Sequence, residues 1–356
     1  MKYSFLGQTG VRVSRIALGT ATFGVAPSAE DAERVVGGAL DLGINFVDTA
    51  DVYGNMPVFD RPGAKPAAER EPAEQILGRA LQGRRDEMVI ATKSNGIVGL
   101  GVNDRGLSRR HIITQVETSL RRLQTDYIDL YYAHDVDPDT PPEQTLAVYD
   151  DLIRQGKIRY VGLSNHPAWH VTRALWIADD RRLQAPVAAQ VKYNLIDRAA
   201  ERELAPACGQ FGLSIIPYAP LHGGLLADLA VLDREVSGDE RFGAPGFSEA
   251  EVSLGREVDR LSREWALGTY QVALAWLLSR PAVASVIVGP ETVDELRANA
   301  TAADIMLEPG QLDALTALAS EPPAFHHRAG DGPLSSPVRD GRMSPHSFKP
   351  SLTTKQ

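Results

Sequence analysis

Cysteine, long apolar runs and positive charge are all scarce in this chain, and each shortage removes a class of protein. The single Cys208 excludes an intramolecular disulfide. No run of about 18 apolar residues occurs, so nothing reads as a transmembrane helix. Lys and Arg total 37 against 46 Asp and Glu, a formal charge of −9 that repels nucleic acid and anionic membranes over most of the surface. Residues 1–7 lack a basic region followed by an apolar segment, which together with the lone cysteine predicts a cytoplasmic location. His326 and His327 have no clustered Cys or carboxylate ligands around them, and no metal is expected.

What is present is a repeat. Short β-branched runs alternate with helical patterns of about ten to fifteen residues, the pattern of successive βα units on a parallel sheet. Eight strands are expected near 16–19, 45–48, 88–93, 128–134, 160–165, 187–191, 214–218 and 285–289. Helices are expected near 29–42, 72–81, 109–122, 141–155, 168–178, 201–209, 271–279 and 293–300. Ser28 and Ser108 are placed to cap helix starts, and Gly43, Gly83, Gly156 and Gly212 fall where a helix end wants a left-handed residue. Eight alternations predict an α/β fold, a (β/α)8 TIM barrel spanning 1–320 as one domain.

Ahead of the first strand, segments 2–6 and 11–15 flank Gly7-Gln8-Thr9-Gly10 and read as a β-hairpin that plugs the barrel bottom. Residues 321–356, rich in Pro, Gly, Ser and His, read as an irregular C-terminal tail. Segments 55–71 and 227–251 exceed ordinary loop lengths and are expected to be lids or disordered insertions. Both follow strands and should emerge at the carboxyl end of the barrel, where strand-to-helix loops converge.

Four titratable residues sit at that same end. Asp48 and Tyr53 follow Asn45-Phe46-Val47, Lys93 closes Met88-Val89-Ile90-Ala91-Thr92, and His134 closes Ile128-Asp129-Leu130-Tyr131-Tyr132-Ala133. Singly, Asp48 is an ordinary cap or turn residue, Tyr53 a packing residue and Lys93 a surface lysine. Jointly, charged residues at the ends of buried strands are costly unless paired or used. A phenol with a pKa near 10 is a poor donor at pH 7, whereas an ammonium about 4 Å away contributes on the order of 4 kcal/mol at an effective dielectric of 20, offset in part by desolvation. Lys93 is therefore expected to lower the Tyr53 pKa, Asp48 to keep Lys93 charged, and neutral His134 to donate to a carbonyl oxygen.

With these motifs the sequence resembles the aldo-keto reductases, closely over roughly residues 1–315. The resemblance rests on Gly43-Ile44-Asn45-Phe46-Val47-Asp48-Thr49-Ala50-Asp51-Val52-Tyr53-Gly54, Ala91-Thr92-Lys93, Asp129-Leu130-Tyr131-Tyr132-Ala133-His134, Gly162-Leu163-Ser164-Asn165 and Val191-Lys192-Tyr193-Asn194. The pattern leans to the bacterial and channel-beta-subunit-like branches. It implies a catalytic tetrad of Asp48, Tyr53, Lys93 and His134, with Tyr53 as general acid in carbonyl reduction and general base in alcohol oxidation.

The resemblance also implies NADP(H) as cofactor, with NAD(H) as the alternative. Gly-x-Gly-x-x-Gly is missing after the first strand, so the barrel itself must bind the dinucleotide. By resemblance Ser164, Asn165 and Gln190 hold the nicotinamide amide, Tyr218 stacks on its ring, and Gly19, Thr20 and Asp48 lie beside it. Pro220, Leu221, Gly223 and Leu225 belong to the phosphate loop after the seventh strand, and Gly289, Glu291, Glu295 and Asn299 to the loop and helix after the eighth. Glu291 and Glu295 depart from the basic or polar residues many relatives place at the 2′-phosphate, which a carboxylate repels; Arg297 reads as a solvated helix residue.

A substrate pocket of Phe23, Tyr53, His134 and His166 is expected, with Trp169 at the rim and Trp265 and Trp276 packing in the core. The expected partner is a small carbonyl or alcohol. An NAD-dependent sugar or alcohol dehydrogenase and a regulatory subunit with vestigial activity are the alternatives.

Overall fold

The computed structural model describes residues 1–59, 63–233 and 246–318, all within the unit Met1–Pro322. The expected tail, with His326 and His327, and residues 234–245 of the second long segment lie outside them.

Eight parallel strands form the sheet: β3 (Ile16–Gly19), β4 (Phe46–Asp48), β5 (Val89–Ser94), β6 (Ile128–Ala133), β7 (Ile158–Ser164), β8 (Ala188–Lys192), β9 (Ser214–Tyr218) and β10 (Val286–Val288). Their order is β10-β3-β4-β5-β6-β7-β8-β9. Ile215 of β9 closes the ring against the segment before β10, donating to the Ala282 carbonyl at 2.7 Å and accepting from Ala284 N–H at 3.1 Å. The (β/α)8 expectation is met, and the strands coincide with the expected runs to within a residue or two. Parallel strands covered on both faces by side chains or helices must be apolar throughout, and Ile16, Ala17, Leu18, Phe46, Val47, Ile90 and Ala91 are all fully buried.

Helices α1 (Ala29–Asp41), α2 (Ala73–Ala80), α3 (Arg109–Leu123), α4 (Pro142–Arg154), α5 (Ala168–Arg181), α6 (Leu204–Phe211), α7 (Glu249–Glu264), α8 (Thr269–Leu278), α9 (Val293–Thr301) and α10 (Pro309–Leu318) surround the barrel. Ser28 and Ser108 cap α1 and α3 by accepting from Asp31 and His111 N–H, as expected. The long-segment reading of 227–251 needs correction at its end: α7 begins at Glu249, with a capping box between Ser248 and Glu251.

At the amino end, β1 (Tyr3–Phe5) pairs antiparallel with β2 (Arg12–Ser14), the expected hairpin. Leu6 and Val13 join Ala17, Phe46, Ala91, Leu130 and Ile216 in the barrel interior. Gly7 N–H donates to Ser214 Oγ at 2.7 Å and Ser4 Oγ to the Ala284 carbonyl at 2.7 Å. The hairpin seals the bottom, so any ligand must enter at the carboxyl end.

Segment 55–71, expected as a lid or disordered insertion, is tied down in its described part. Buried Arg70 donates to the carbonyls of Gly54 at 2.7 Å, Met56 at 2.8 Å and Lys65 at 3.2 Å, and Asn55 Nδ2 donates to the Arg70 carbonyl at 2.9 Å. One guanidinium, with five fixed donors, thus folds the segment back on itself.

Candidate active site

Three adjacent strands bring the four residues together. The register pairs Asp48 with Ala91 and Lys93 with Tyr132, so the ends of β4, β5 and β6 lie side by side. Tyr53 arrives by a turn after β4. Gly54 takes a φ of 90° there, and a Cβ on it would stand 2.5 Å from the Glu71 carbonyl oxygen, so only glycine fits. Ala73 N–H then donates to the Tyr53 carbonyl at 2.9 Å, fixing the turn to the start of α2.

Lys93 Nζ donates to Asp48 Oδ1 at 2.5 Å, to the Thr49 carbonyl at 2.8 Å and to Tyr53 Oη at 3.2 Å. Its three protons are therefore all used. Gln190 Nε2 donates to Asp48 Oδ2 at 2.7 Å, so both carboxylate oxygens are engaged. The His134 ring meets the Tyr53 ring edge-on at 5.8 Å between centroids. Lys93 is 0% and Asp48 3% exposed, whereas Tyr53 and His134 are half-buried. The ion pair is thus more deeply buried than the two rings.

Burial alone would lower the Lys93 ammonium, but Asp48 and Tyr53 outweigh it and raise its pKa. Burial pushes Asp48 up against the opposing pull of Lys93 and Gln190. Tyr53 corrects the sequence reading: burial raises its phenol, aided by Asp48, and Lys93 only partly opposes this. Desolvation was expected to be the smaller influence and is the larger. His134 is pushed down to about 3 by burial and then by Lys93, and is neutral at physiological pH.

The other expected residues fall into separate groups. Thr20 N–H and Oγ1 both donate to the Asp48 carbonyl at 3.0 Å, with Gly19 buried beside it. Asn165 takes a left-handed φ of 58°; its Nδ2 donates to the His134 carbonyl at 3.0 Å and its Oδ1 accepts from Tyr218 Oη at 3.0 Å. Ser164 Oγ is buried and finds no hydrogen-bond partner among the described residues. Gln190 is turned to Asp48. Phe23 is buried in the main core, and His166 is buried with Nδ1 2.6 Å from the Ser164 carbonyl oxygen. Trp276 is buried and Trp265 partly so, as expected, while Trp169 is exposed.

After β9, Ala219 and His222 adopt φ values of 49° and 47°, so the loop turns sharply through left-handed backbone. Pro220 and Leu225 are buried; Leu221 and Gly223 are half-buried. After β10, Gly289 is exposed and Asn299 half-buried. Glu295 Oε2 accepts from Glu291 N–H at 2.8 Å, and Thr292 Oγ1 caps α9 by accepting from Glu295 N–H at 3.1 Å. Arg297 pairs with Asp294 at 2.5 Å on the surface.

Sequence reasoning missed the Thr49 carbonyl, because a backbone acceptor leaves no residue signature. It also missed Arg122, whose Nη1 donates to the Asp51 carbonyl at 2.8 Å just behind the site.

The class defined by the fold is an eight-stranded parallel (β/α)8 barrel, here with a buried lysine–aspartate pair beside a tyrosine and a neutral histidine at the carboxyl ends of its strands. A model of the Aldo/keto reductase family matches residues 15–320, and the chain belongs to that family. It is 38% identical over 315 residues to "Uncharacterized oxidoreductase YrpG" of Bacillus subtilis, covering 86% of this chain and 93% of that one. It is 32% identical to "Probable voltage-gated potassium channel subunit beta" of Oryza sativa subsp. japonica, covering 91% and 98%. It is 30% identical to "Aldo-keto reductase YhdN" of Bacillus subtilis, covering 97% and 98%. Family membership supports an oxidoreductase. Among the described residues no helix is long and apolar enough to cross a membrane.

Proposed function

We propose that this protein is a nicotinamide-dependent oxidoreductase that interconverts an aldehyde or ketone and its alcohol, with Tyr53 moving the proton. The observation that carries the reading is the 3.2 Å contact from Lys93 Nζ to Tyr53 Oη, backed by Asp48 and flanked by neutral His134. When bound, the reduced nicotinamide supplies the hydride. Tyr53 Oη holds the proton that passes to the carbonyl oxygen, and Lys93 offsets the negative charge left on the phenol oxygen. His134 carries an N–H that can hold the same carbonyl oxygen in place.

The residues fit such a cofactor. Ser164 Oγ is a buried donor and acceptor awaiting a partner, next to Asn165 at the end of β7, which suits a carboxamide. Ser164 and Asn165 are the groups that would hold it, and Gln190 supports them by orienting Asp48. NADP(H) is the cofactor expected of the family. Glu295 favours NAD(H) as a second reading, because its carboxylate closes on the Glu291 amide where α9 begins.

Initial rates with a panel of aldehydes, ketones and sugars, using NADPH and NADH, test the reading. Turnover of carbonyls with either cofactor supports it. Cofactor binding without turnover of any carbonyl or alcohol would favour a regulatory role, to which the rice relative's name points.

A further inference from the structure

An ion pair outside the tetrad, its carboxylate fully buried and its guanidinium partly so, links the end of β5 that holds Lys93 to the turn that carries Tyr53. Glu74 on α2 is 0% exposed, and its Oε2 lies 3.2 Å from Arg122 Nη1 on α3. Gly78, one turn further along α2, allows this: a Cβ there would stand 2.4 Å from the Arg122 carbonyl oxygen, so only glycine lets the two helices approach so closely.

Each partner of the pair also grips the catalytic scaffold. Arg122 Nη1 donates to the Asp51 carbonyl at 2.8 Å, two residues before Tyr53. Glu74 Oε1 accepts from Thr92 Oγ1 at 2.7 Å, one residue before Lys93. Asp51 N–H donates in turn to the Lys93 carbonyl at 3.1 Å, closing a loop of contacts through both strand ends. The Glu74 carboxylate is fully buried with both oxygens engaged, and the Arg122 guanidinium, 27% exposed, spends one nitrogen on Glu74 and the Asp51 carbonyl together, so the carboxylate end of the pair is held in place.

We propose that the Glu74–Arg122 pair positions Tyr53 against Lys93, acting through the Asp51 carbonyl on one side and the Thr92 hydroxyl on the other. This rests on the oxidoreductase reading above. None of these groups touches substrate or cofactor in the role described; they set the distance between the proton donor and its ammonium. The Asp51 carboxyl belongs to the same device. Burial, and after it the nearby Glu74, push it well above the usual carboxylate range.

Thr92→Val is the sharpest variant, since it removes one hydroxyl, keeps the shape and changes no charge. Its expected kcat is lower by about 10- to 100-fold, the penalty of a sub-ångström to ångström misplacement, with KM and cofactor Kd nearly unchanged. The alkaline limb of its carbonyl-reduction profile moves upward, because a looser Lys93 contact lowers the Tyr53 pKa less, with Asp48, Asp51 and His134 left in place around it. Arg122→Met falls further, and Arg122→Lys keeps more of the rate than Arg122→Met.

Wild-type kcat and an unshifted limb in Thr92→Val overturn the proposal, even if Arg122→Met fails to fold. So does a loss that follows the folded fraction alone, with normal kcat per cofactor-binding site. Absence of turnover in the wild type, measured in the same series, refutes instead the oxidoreductase reading on which the proposal rests.

Discussion

Lys93 Nζ stands 2.5 Å from Asp48 Oδ1, and both side chains are almost entirely removed from solvent. A pair so buried is held by mutual need, since either charge alone would lack compensation. Lys93→Met is therefore expected to destabilise the fold by about 3–5 kcal/mol, because it strands Asp48. Adding Asp48→Asn to that variant recovers part of the loss. Urea midpoints of the two single variants and the double variant check this, and simple additivity would contradict the coupling.

The raised Tyr53 phenol sets a direction-dependent pH response. Its pKa lies above the ordinary value near 10, so the proton needed for carbonyl reduction is present throughout the neutral range. Reduction should be flat with pH there. Alcohol oxidation needs the phenolate and should accelerate as pH rises. His134, held at about 3, contributes no limb near pH 6 to 7. Initial rates in both directions between pH 6 and about 10 show the contrast; parallel profiles would speak against Tyr53 as the proton carrier.

Ser164→Ala removes a buried hydroxyl that no described residue uses. Deleting such a group leaves no orphaned partner behind, so thermal stability should hold or rise. Dinucleotide binding should weaken by up to about tenfold, the worth of one hydrogen bond. Thermal melts and fluorescence quenching by NADPH and NADH measure the two effects separately.

Glu295→Arg exchanges an anion for a cation at the start of α9. The expected outcome is tighter NADPH binding with NADH nearly unchanged, because only the former carries a 2′-phosphate. Equal changes for both cofactors would place the 2′-phosphate elsewhere.

Most of the barrel could be read from the sequence because buried parallel strands are short, continuous apolar runs with few alternatives. Helix α7 could not be separated from the long segment before it, although Ser248 and Glu251 carry the three-residue spacing of a capping box. Asp48, Lys93 and His134 were legible because a charged or titratable residue at the end of a buried strand demands a reason. Balance was less legible than identity. Whether Lys93 or desolvation governs Tyr53 depends on depth and distance, and here depth wins. Gln190, expected at a carboxamide, also donates to Asp48, a contact set by side-chain direction and invisible to residue type.

Tyr53 is proposed to move the proton while the rest of the site binds and orients. Single-turnover reduction of a reactive aldehyde by wild type and Tyr53→Phe, with cofactor affinity measured on the same samples, tests it most directly. The expected result is a loss of about 100- to 10,000-fold in the variant at unchanged cofactor Kd. A Tyr53→Phe protein that binds cofactor and reduces the aldehyde at the wild-type rate would contradict it.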